Sequence, residues 1–336
     1  MSLTPRAPGA ISPKVGVPLA WVVVAVLVAA GVGVAVTAVL LAPRAPATED
    51  SLRVTDDLGR SVTVPTDPSR VVVLGPSIVD LLVDLGLRSH IVGVDCYAAA
   101  DGGLGDDYSS DQIAAWNLSS SMCVQVAPEF VPSMLAALAP SLVLAATIVS
   151  TAEVEQVAGE LGVPVLMLQP PTLSGVLVDS SLVGQVFGVE SRAAALNAQL
   201  ASELYNATNL TSQAGELPTV LLTYSADANG YWTYGPGTFG ESLLEIAGAS
   251  SISANASTAY PELTAAQVLA SEPQWIVYGT GFGLSESSYA SGPSWSDFQA
   301  VKDGNLTGID SNWLTEPDPT MILDGIPALL AIFHAG

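Results

Sequence analysis

Cations are the scarcest feature of this chain. Only nine of its 336 residues are Lys or Arg, against 32 Asp or Glu, which gives a formal net charge of −23 at pH 7. Such a surface repels nucleic acid and anionic lipid, so neither is expected as a partner. The acids form no block, which disfavours an acidic interaction tail. We interpret the imbalance as adaptation to an unusual medium, and an acidic habitat suits it because carboxylates are protonated there.

Catalytic groups are scarce as well. The two histidines, His90 and His334, are too few for a three-His zinc or manganese site, and neither is expected in a cleft. The segment GPSIVD lacks the G-x-S-x-G pattern of a nucleophile elbow, and the chain has neither a P-loop nor a G-x-G-x-x-G loop. The sequence therefore predicts a protein that is not an enzyme and that holds no cofactor or metal.

Cysteine occurs only twice, at Cys96 and Cys123. Two cysteines normally pair outside the cell, so a disulfide is predicted. The alternative is a pair of free buried thiols. A metal site built on these two alone is not expected, because too few other ligands accompany them.

One long uncharged run, Val15–Leu41, stands near the start of the chain. As a helix it would be roughly 40 Å long, more than the ~30 Å hydrocarbon core, and it exceeds the 7–15 residues of a usual signal-peptide core. Arg6 and Lys14 precede it, which predicts a cytoplasmic amino terminus and an extracellular remainder. We therefore predict a cytoplasmic stub (1–14), a single-pass anchor (15–41) and a tether (42–51). The alternative is a signal peptide cleaved near Ala45–Ala47.

Asparagine is concentrated in glycosylation sequons. Five of the eight asparagines precede x-Ser or x-Thr, well above the number expected by chance, and this favours an exported, glycan-bearing surface. The predicted acceptors are Asn117, Asn206, Asn209, Asn255 and Asn305.

The rest of the chain alternates between strand and helix patterns. Its organising unit is RVVVLGPSIVDLLVDLGL (70–87), a β-branched strand, a Gly-Pro turn, and a helix capped by Ser77. An opening hairpin with its turn at Gly59 precedes this unit, and further β-α pairs follow it. We predict an α/β fold with two Rossmann-like lobes, residues 52–171 and 213–336. Residues 172–212, a helical stretch without strands, would connect them.

The order of these segments resembles the extracellular solute-binding proteins of ABC importers, of the cobalamin and ferric-siderophore type (periplasmic-binding class III). The resemblance spans residues 52–336 and rests on DDLGRSVTVP, RVVVLGPSIVDLLVDLGL, HIVGVD, MLAALAPSLVLA, TFGESLLEIAGA and LTAAQVLASEPQWIVYG. It implies two lobes joined by one long helix, a ligand held between them, and delivery to a membrane permease and its ATPase.

The resemblance also implies docking residues, and here the chain departs from the pattern. In the family a Glu on each lobe contacts arginines of the permease, but the matching positions are Ser133 and Ala266. Glu129 and Glu262 lie four residues earlier and are the predicted substitutes. An anchored surface receptor or scaffold that feeds no transporter therefore stays open as an alternative.

Ligand-binding residues are expected after the carboxyl ends of strands and in the Gly- and aromatic-rich loop that we predict at 224–238. Beyond Arg192 the only cation is Lys302, and anionic ligands usually need several. A neutral or cationic ligand with a flat face fits better, either a corrinoid or a hydroxamate-type ferric siderophore. The predicted ligand-binding residues are Ser77, Tyr97, Thr147, Tyr224, Tyr231, Trp232, Thr280, Phe282, Trp295, Asn312 and Trp313.

Overall fold

The structure, a computed structural model, describes residues 51–96, 123–126, 130–146, 150–213, 215–281, 284–315 and 317–334. All of these described residues belong to one compact unit. The predicted anchor, Val15–Leu41, lies outside the described residues. Within the described ranges, no helix combines the length and the apolar character needed to cross a bilayer.

The amino-terminal part contains a hairpin and a five-stranded parallel sheet. The hairpin pairs β1 (Ser51–Thr55) with β2 (Ser61–Pro65) around a turn in which Gly59 has φ 72°. Across the sheet the strands are β5 (Cys123–Val124), β4 (Ile91–Asp95), β3 (Val71–Leu74), β6 (Leu142–Ala145) and β7 (Val165–Met167). The helices beside them are α1 (Pro76–Asp84), α2 (Pro132–Ala137) and α3 (Thr151–Leu161). Strand order therefore switches beside β3, and parallel sheets bind ligands at such a point.

The predicted strand-turn-helix unit forms at β3 and α1, but its cap differs from the prediction. Gly75, not Ser77, occupies the N-cap, and its φ of 149° is one that residues with a side chain rarely adopt. Pro76 begins the helix, which suits its fixed φ. The Gly75 amide donates to Oδ2 of buried Asp95 over 2.9 Å, so the turn is tied to β4 instead of to a side-chain cap.

The predicted disulfide forms between Cys96 and Cys123, with a Cα–Cα distance of 4.8 Å. Cys96 directly follows β4 and Cys123 begins β5, the neighbouring parallel strand. The bond thus joins two adjacent strands at one edge of the sheet.

The predicted helical stretch between the sheets forms and consists of two helices, of which the second is the long helix that the resemblance implied. These are α4 (Leu173–Val186) and α5 (Glu190–Thr211), and they pack antiparallel because the chain turns at 187–189. Asn197 on α5 donates to the Leu177 carbonyl and to the Ser181 hydroxyl, both over 2.8 Å. The stretch is therefore a helical hairpin whose second arm is the longer.

The carboxyl-terminal sheet is mixed. Its strands, in order across the sheet, are β11 (Glu262–Thr264), β9 (Gly230–Thr233), β8 (Thr219–Ala226), β12 (Trp275–Thr280) and β13 (Leu306–Asp310), with β10 (Ser250–Ser251) pairing with the start of β8. Strands β8, β12 and β13 are parallel, whereas β9 is antiparallel to both of its neighbours. The helices are α6 (Phe239–Ile246), α7 (Ala265–Ser271), α8 (Glu286–Ala290), α9 (Gln299–Asp303), α10 (Asn312–Thr315) and α11 (Ile326–Phe333), the last preceded by a π-helical turn, Met321–Gly325.

The loop predicted at 224–238 is largely a β-hairpin. Strand β8 continues to Ala226, and β9 returns beside it after a turn in which the Asp227 side chain accepts from the Asn229 amide over 2.7 Å. Gly230 lies where an added Cβ would be 2.2 Å from the Leu263 carbonyl oxygen, so the close approach of β11 requires glycine there. The prediction was wrong because the Gly and Asn that suggest a loop here form a hairpin turn.

One hydrophobic core runs through both halves of the unit. It joins Val71 and Val73 of β3, Leu196 and Leu200 of α5, and Leu243 of α6. Two smaller clusters fill the far faces of the two sheets. The helical hairpin and a continuous apolar core, rather than a loose linker, therefore fix the two sheets relative to each other.

Candidate ligand-binding site

A pocket of about 230 Å³ lies between the two sheets. On one side it is walled by Ser77, which follows β3, and by 168–171, which follow β7. On the other side it is walled by 237–239 at the start of α6, by 259–260, and by Pro317. The volume is below the ~300–1,000 Å³ of typical small-molecule sites, so this pocket suits a small solute or one part of a larger one. Its lining residues are Ser77, Leu168, Gln169, Pro170, Pro171, Gly237, Thr238, Phe239, Ala259, Tyr260 and Pro317.

The carboxyl-lobe wall of the pocket is held by a helix cap. Thr238 is the N-cap of α6, where its hydroxyl accepts from the Glu241 amide over 3.3 Å and donates to the Gly235 carbonyl over 2.8 Å. Gly237, with φ 78°, turns the chain into this cap. Side-chain caps of this kind fix the direction in which the chain enters a helix. The wall is therefore preformed.

Three tyrosines from separate segments meet beside the pocket. Tyr260, half of whose surface is exposed, lies edge-on to buried Tyr234, with ring centroids 6.1 Å apart. Tyr224 packs on Tyr234 at 4.9 Å, and Phe239 packs on it at 5.2 Å. Burial raises the pKa of all three tyrosines, so each remains a neutral phenol well above pH 7. Of the three tyrosines only Tyr260 lines the pocket, where it offers an apolar ring face and a neutral hydroxyl group to a ligand.

No charged side chain lines the pocket among the described residues. The six described cations are held elsewhere. Arg70, Arg88, Arg192 and Lys302 donate to backbone carbonyls, Arg53 donates to Ser61, and Arg60 pairs with Asp56 and Glu155. An anionic ligand would therefore meet no compensating charge from the described walls.

Acidic groups lie behind the pocket. Asp179 and Asp318, both almost fully buried, line an adjoining cavity of about 10 Å³ that shares Ser77 and Pro170 with the main pocket. The Asp179 carboxyl is hydrogen-bonded to that of Asp57, and burial, followed by the charge of Asp57, raises the pKa of Asp179 to about 8. A pKa of about 8 keeps Asp179 mostly protonated at pH 7, so the neutral Asp179 carboxyl avoids repulsion from the Asp57 carboxylate. The region behind the pocket is therefore neutral or negative.

Two of the predicted binding residues are core residues instead. Tyr231 is fully buried and Trp295 is 5% exposed, and their rings pack together with a centroid distance of 5.8 Å. Phe298 lies 5.4 Å from the Tyr231 ring. The prediction relied on loops being unable to bury aromatic rings. However, Tyr231 lies on β9 and Trp295 lies on a short 3₁₀ turn, and both face a packed cluster.

The other predicted residues are divided. Ser77 lines the pocket. Tyr224 does not line it, but its ring packs on Tyr234 in the tyrosine cluster beside the pocket. Trp232 is half-buried on β9 with its Nε1 3.5 Å from Asp227, and Thr280 donates to the Ile309 carbonyl over 3.0 Å. The remaining described pair, Asn312 and Trp313, begins α10: Asn312 is buried and Trp313 packs on the central core. Tyr97, Thr147 and Phe282 lie outside the described residues.

Sequence patterns did not predict Tyr260, Phe239 or the segment 168–171 as site residues. A usable signal was present for the last of these, because 168–171 follow β7 and the rule applied to the other parallel strands covers it equally. No such signal existed for Tyr260, which reaches the pocket only through the packing of distant segments.

The predicted docking positions and histidines are also placed by the structure. Ser133 and Ala266 are exposed in the first turns of α2 and α7, and Glu129 lies outside the described residues. Burial, followed by the charge of Asp227, raises the pKa of Glu262 on β11. His90 and His334 each lie 2.9 Å from a backbone carbonyl, of Pro68 and Ala247 respectively, and neither lines the pocket.

Comparison with known proteins agrees with this architecture. A family profile described as periplasmic binding protein matches residues 71–313, which include both sheets and the connecting helices. The chain belongs to the periplasmic binding protein family. It is accordingly a solute-binding protein of the ABC importer type and not an enzyme, as the sequence predicted.

Three relatives illustrate the range of named ligands. A "Cobalamin-binding protein" of Halobacterium salinarum is 25% identical over 324 residues, covering 92% of this chain and 83% of the relative. The structure of an Fe3+-hydroxamate transport protein from Saccharomonospora viridis superposes with TM-score 0.68 at 20% identity, over 84% of this chain and 99% of that one. A periplasmic heme-binding protein of Pseudomonas aeruginosa gives TM-score 0.67 at 22% identity, over 80% and 94%. Because these three are named for different ligands, likeness of fold does not select one.

Proposed function

We propose that this protein captures a corrinoid or a hydroxamate-type ferric siderophore between its two sheets and delivers it to an ABC permease and its ATPase. The observation that carries the proposal is the uncharged pocket with its exposed ring, Tyr260. Haem carries propionates that need cations, and the described walls offer none. The long match to a cobalamin-binding relative makes a corrinoid the first ligand to test.

A titration tests this proposal. Tryptophan fluorescence of the purified chain should be quenched by cyanocobalamin or by a neutral ferric trihydroxamate, and not by haem at the same concentration. Tyr260→Ala should weaken binding about tenfold, since it removes one apolar face worth about 1.4 kcal/mol. The matched control is Tyr205→Ala on α5, because Tyr205 is 70% exposed and does not line the pocket.

Two outcomes would contradict the proposal. If haem bound tightly and the other two ligands did not, the site would have to accept anionic propionates, and the proposal that it takes a neutral ligand would be wrong. No binding of any ligand, together with no permease co-purifying, would favour the anchored receptor or scaffold. That alternative is supported by the exposed, uncharged Ser133 and Ala266 where the family has docking glutamates.

We also propose that Val15–Leu41 anchors the protein in the cell membrane, with its bulk outside. The support is the length of the uncharged run and the position of Arg6 and Lys14 before it. The full chain should stay in the membrane fraction through a high-salt, alkaline wash, while a variant lacking 1–44 should be released. A mature protein whose first residue lies near Ala47 would instead establish cleavage.

A further inference from the structure

A second pocket, of about 440 Å³, lies on the carboxyl-terminal sheet away from the proposed ligand site. It is bounded by the residues just before β8, β12 and β13, and so lies at the amino ends of these parallel strands. The solute-binding function does not use it, because ligands of parallel sheets sit at the carboxyl ends.

The lining of this pocket suits a sugar. Its polar side chains are amides and carboxylates, and it has no cation among the described residues. Gln299 donates to Asp303 over 2.8 Å, which leaves a paired amide and carboxylate facing the pocket. Trp275 adds an indole that is half-buried against Phe333. Amide and carboxylate groups hydrogen-bond to hydroxyls, and an aromatic ring packs on apolar C–H surface.

One wall of the pocket carries a glycosylation sequon. Asn305, followed by Leu306 and Thr307, is half-buried, and its Nδ2 donates to the Gln274 carbonyl over 3.0 Å. The nitrogen that accepts a glycan therefore lies beside Gln274 and Trp275. The other described sequon residues, Asn206, Asn209 and Asn255, are exposed and line none of the described pockets.

We propose that Asn305 carries an N-linked glycan whose first sugar occupies this pocket. An external glycosyltransferase would join Nδ2 to the anomeric carbon of a sugar carried on a lipid phosphate. The bond between that carbon and the phosphate oxygen breaks, the lipid phosphate leaves with the electron pair, and one Nδ2 proton is lost. Nδ2 keeps its other hydrogen, so the bond to the Gln274 carbonyl can persist. The glycan thus becomes a structural part of the lobe.

Substitutions at Thr307 provide a matched test in the full chain. Thr307→Ser keeps the sequon, while Thr307→Val removes it and leaves Asn305 in place. The chain is made in a host in which glycopeptide mass spectrometry shows sugar on Asn255. There we expect sugar on Asn305 in wild type and Thr307→Ser, and a melting temperature roughly 2–5 °C lower in Thr307→Val. When both variants are made in a host without N-glycosylation, Thr307→Ser and Thr307→Val should have the same melting temperature.

Gln299→Ala then tests whether the pocket holds the sugar. In the Gln299→Ala background, made in the glycosylating host, the difference in melting temperature between Thr307→Ser and Thr307→Val should shrink by at least half. The reason is that the sugar loses its hydrogen bond to the Gln299 amide. Ser257→Ala, which removes the exposed Asn255 sequon, should leave the melting temperature unchanged. An unmodified Asn305 in the host that modifies Asn255 would overturn the proposal. So would a Thr307 difference that Gln299→Ala leaves intact.

Discussion

Asp179→Asn should make the protein more stable at pH 7.5 and leave its stability unchanged at pH 3. Asp179 is only 3% exposed on α4, where its carboxyl meets that of Asp57 from the β1–β2 hairpin. Asp318 lines the same small cavity, while the Gln169 amide donates to Asp57 over 2.5 Å. Burial and the neighbouring carboxyl together raise the pKa of Asp179 to about 8.

The sign follows from proton linkage. The pKa of Asp179 is about 8 in the folded protein, against its ordinary value of 3.8 in an unfolded chain. Below pH 3.8 both states are protonated and the group costs nothing. Between these values the unfolded chain releases a proton that the folded protein keeps, so stability falls as pH rises, and the loss is complete above about pH 8. Asn cannot ionise, so Asp179→Asn should raise the free energy of unfolding by roughly 2–4 kcal/mol at pH 7.5.

Thermal unfolding at a series of pH values measures this effect. At pH 7.5 the melting temperature of Asp179→Asn should exceed that of wild type by about 5–10 °C, and the two curves should converge at pH 3. The control is Asp297→Asn, because Asp297 is an exposed carboxylate on a helical turn. It should leave the melting temperature unchanged at both pH 7.5 and pH 3. If Asp179→Asn lowered the melting temperature at pH 7.5, an ionised Asp179 would be making a contact that the fold requires.

The pKa values of other carboxyl groups are also raised in the folded protein. Burial, followed by the charge of Asp324, raises the pKa of Asp84 to about 6. The pKa values of Asp57 and Glu262 are raised as well, with burial the largest cause in each. All four groups make the folded protein hold protons that the unfolded chain would release, so each favours folding at lower pH. We therefore expect wild type to lose stability as pH rises from about 4 to about 8, and a stability optimum near neutrality would count against an acidic habitat.

Local patterns predicted the local structure well. The strand and the helix predicted within 70–87 both form, as Val71–Leu74 and Pro76–Asp84, because β-branched runs and helical spacing are decided by neighbours in sequence. The hairpin of β8 and β9 was missed, although Asn229-Gly230 between alternating residues is a recognised hairpin signal. Reading it as a loop led to the misplacement of Tyr231.

The ligand site was less predictable because its parts meet only in the folded protein. Ser77 could be found from its place after β3. Tyr260 and Pro317 reach the pocket through the packing of one lobe against the other, and no local pattern encodes that packing. The predicted aromatic lining was wrong for Tyr231 and Trp295, which are packed in the core of the sheet, and the rings that do line the pocket are Tyr260 and Phe239.

Tyr231→Ala is the substitution expected to have the largest effect on stability. The ring is fully buried between Trp295 and Phe298, and its hydroxyl donates to the Pro293 carbonyl over 3.0 Å. Gly292 leaves room for the ring, since a Cβ there would lie 2.7 Å from the Tyr231 hydroxyl. Truncation would leave a cavity that this cluster cannot close, at a cost of about 3–5 kcal/mol.

Two matched variants separate a core role from a binding role. Tyr231→Phe keeps the ring and loses one hydrogen bond, so it should cost about 1 kcal/mol. Trp232→Ala changes the next residue on β9, whose side chain points to the other face of the sheet, and should cost less than Tyr231→Ala. Urea unfolding measures all three. If Tyr231→Ala kept full stability and instead abolished ligand binding, the Tyr231 ring would belong to the ligand site. Its assignment to the core would then be wrong.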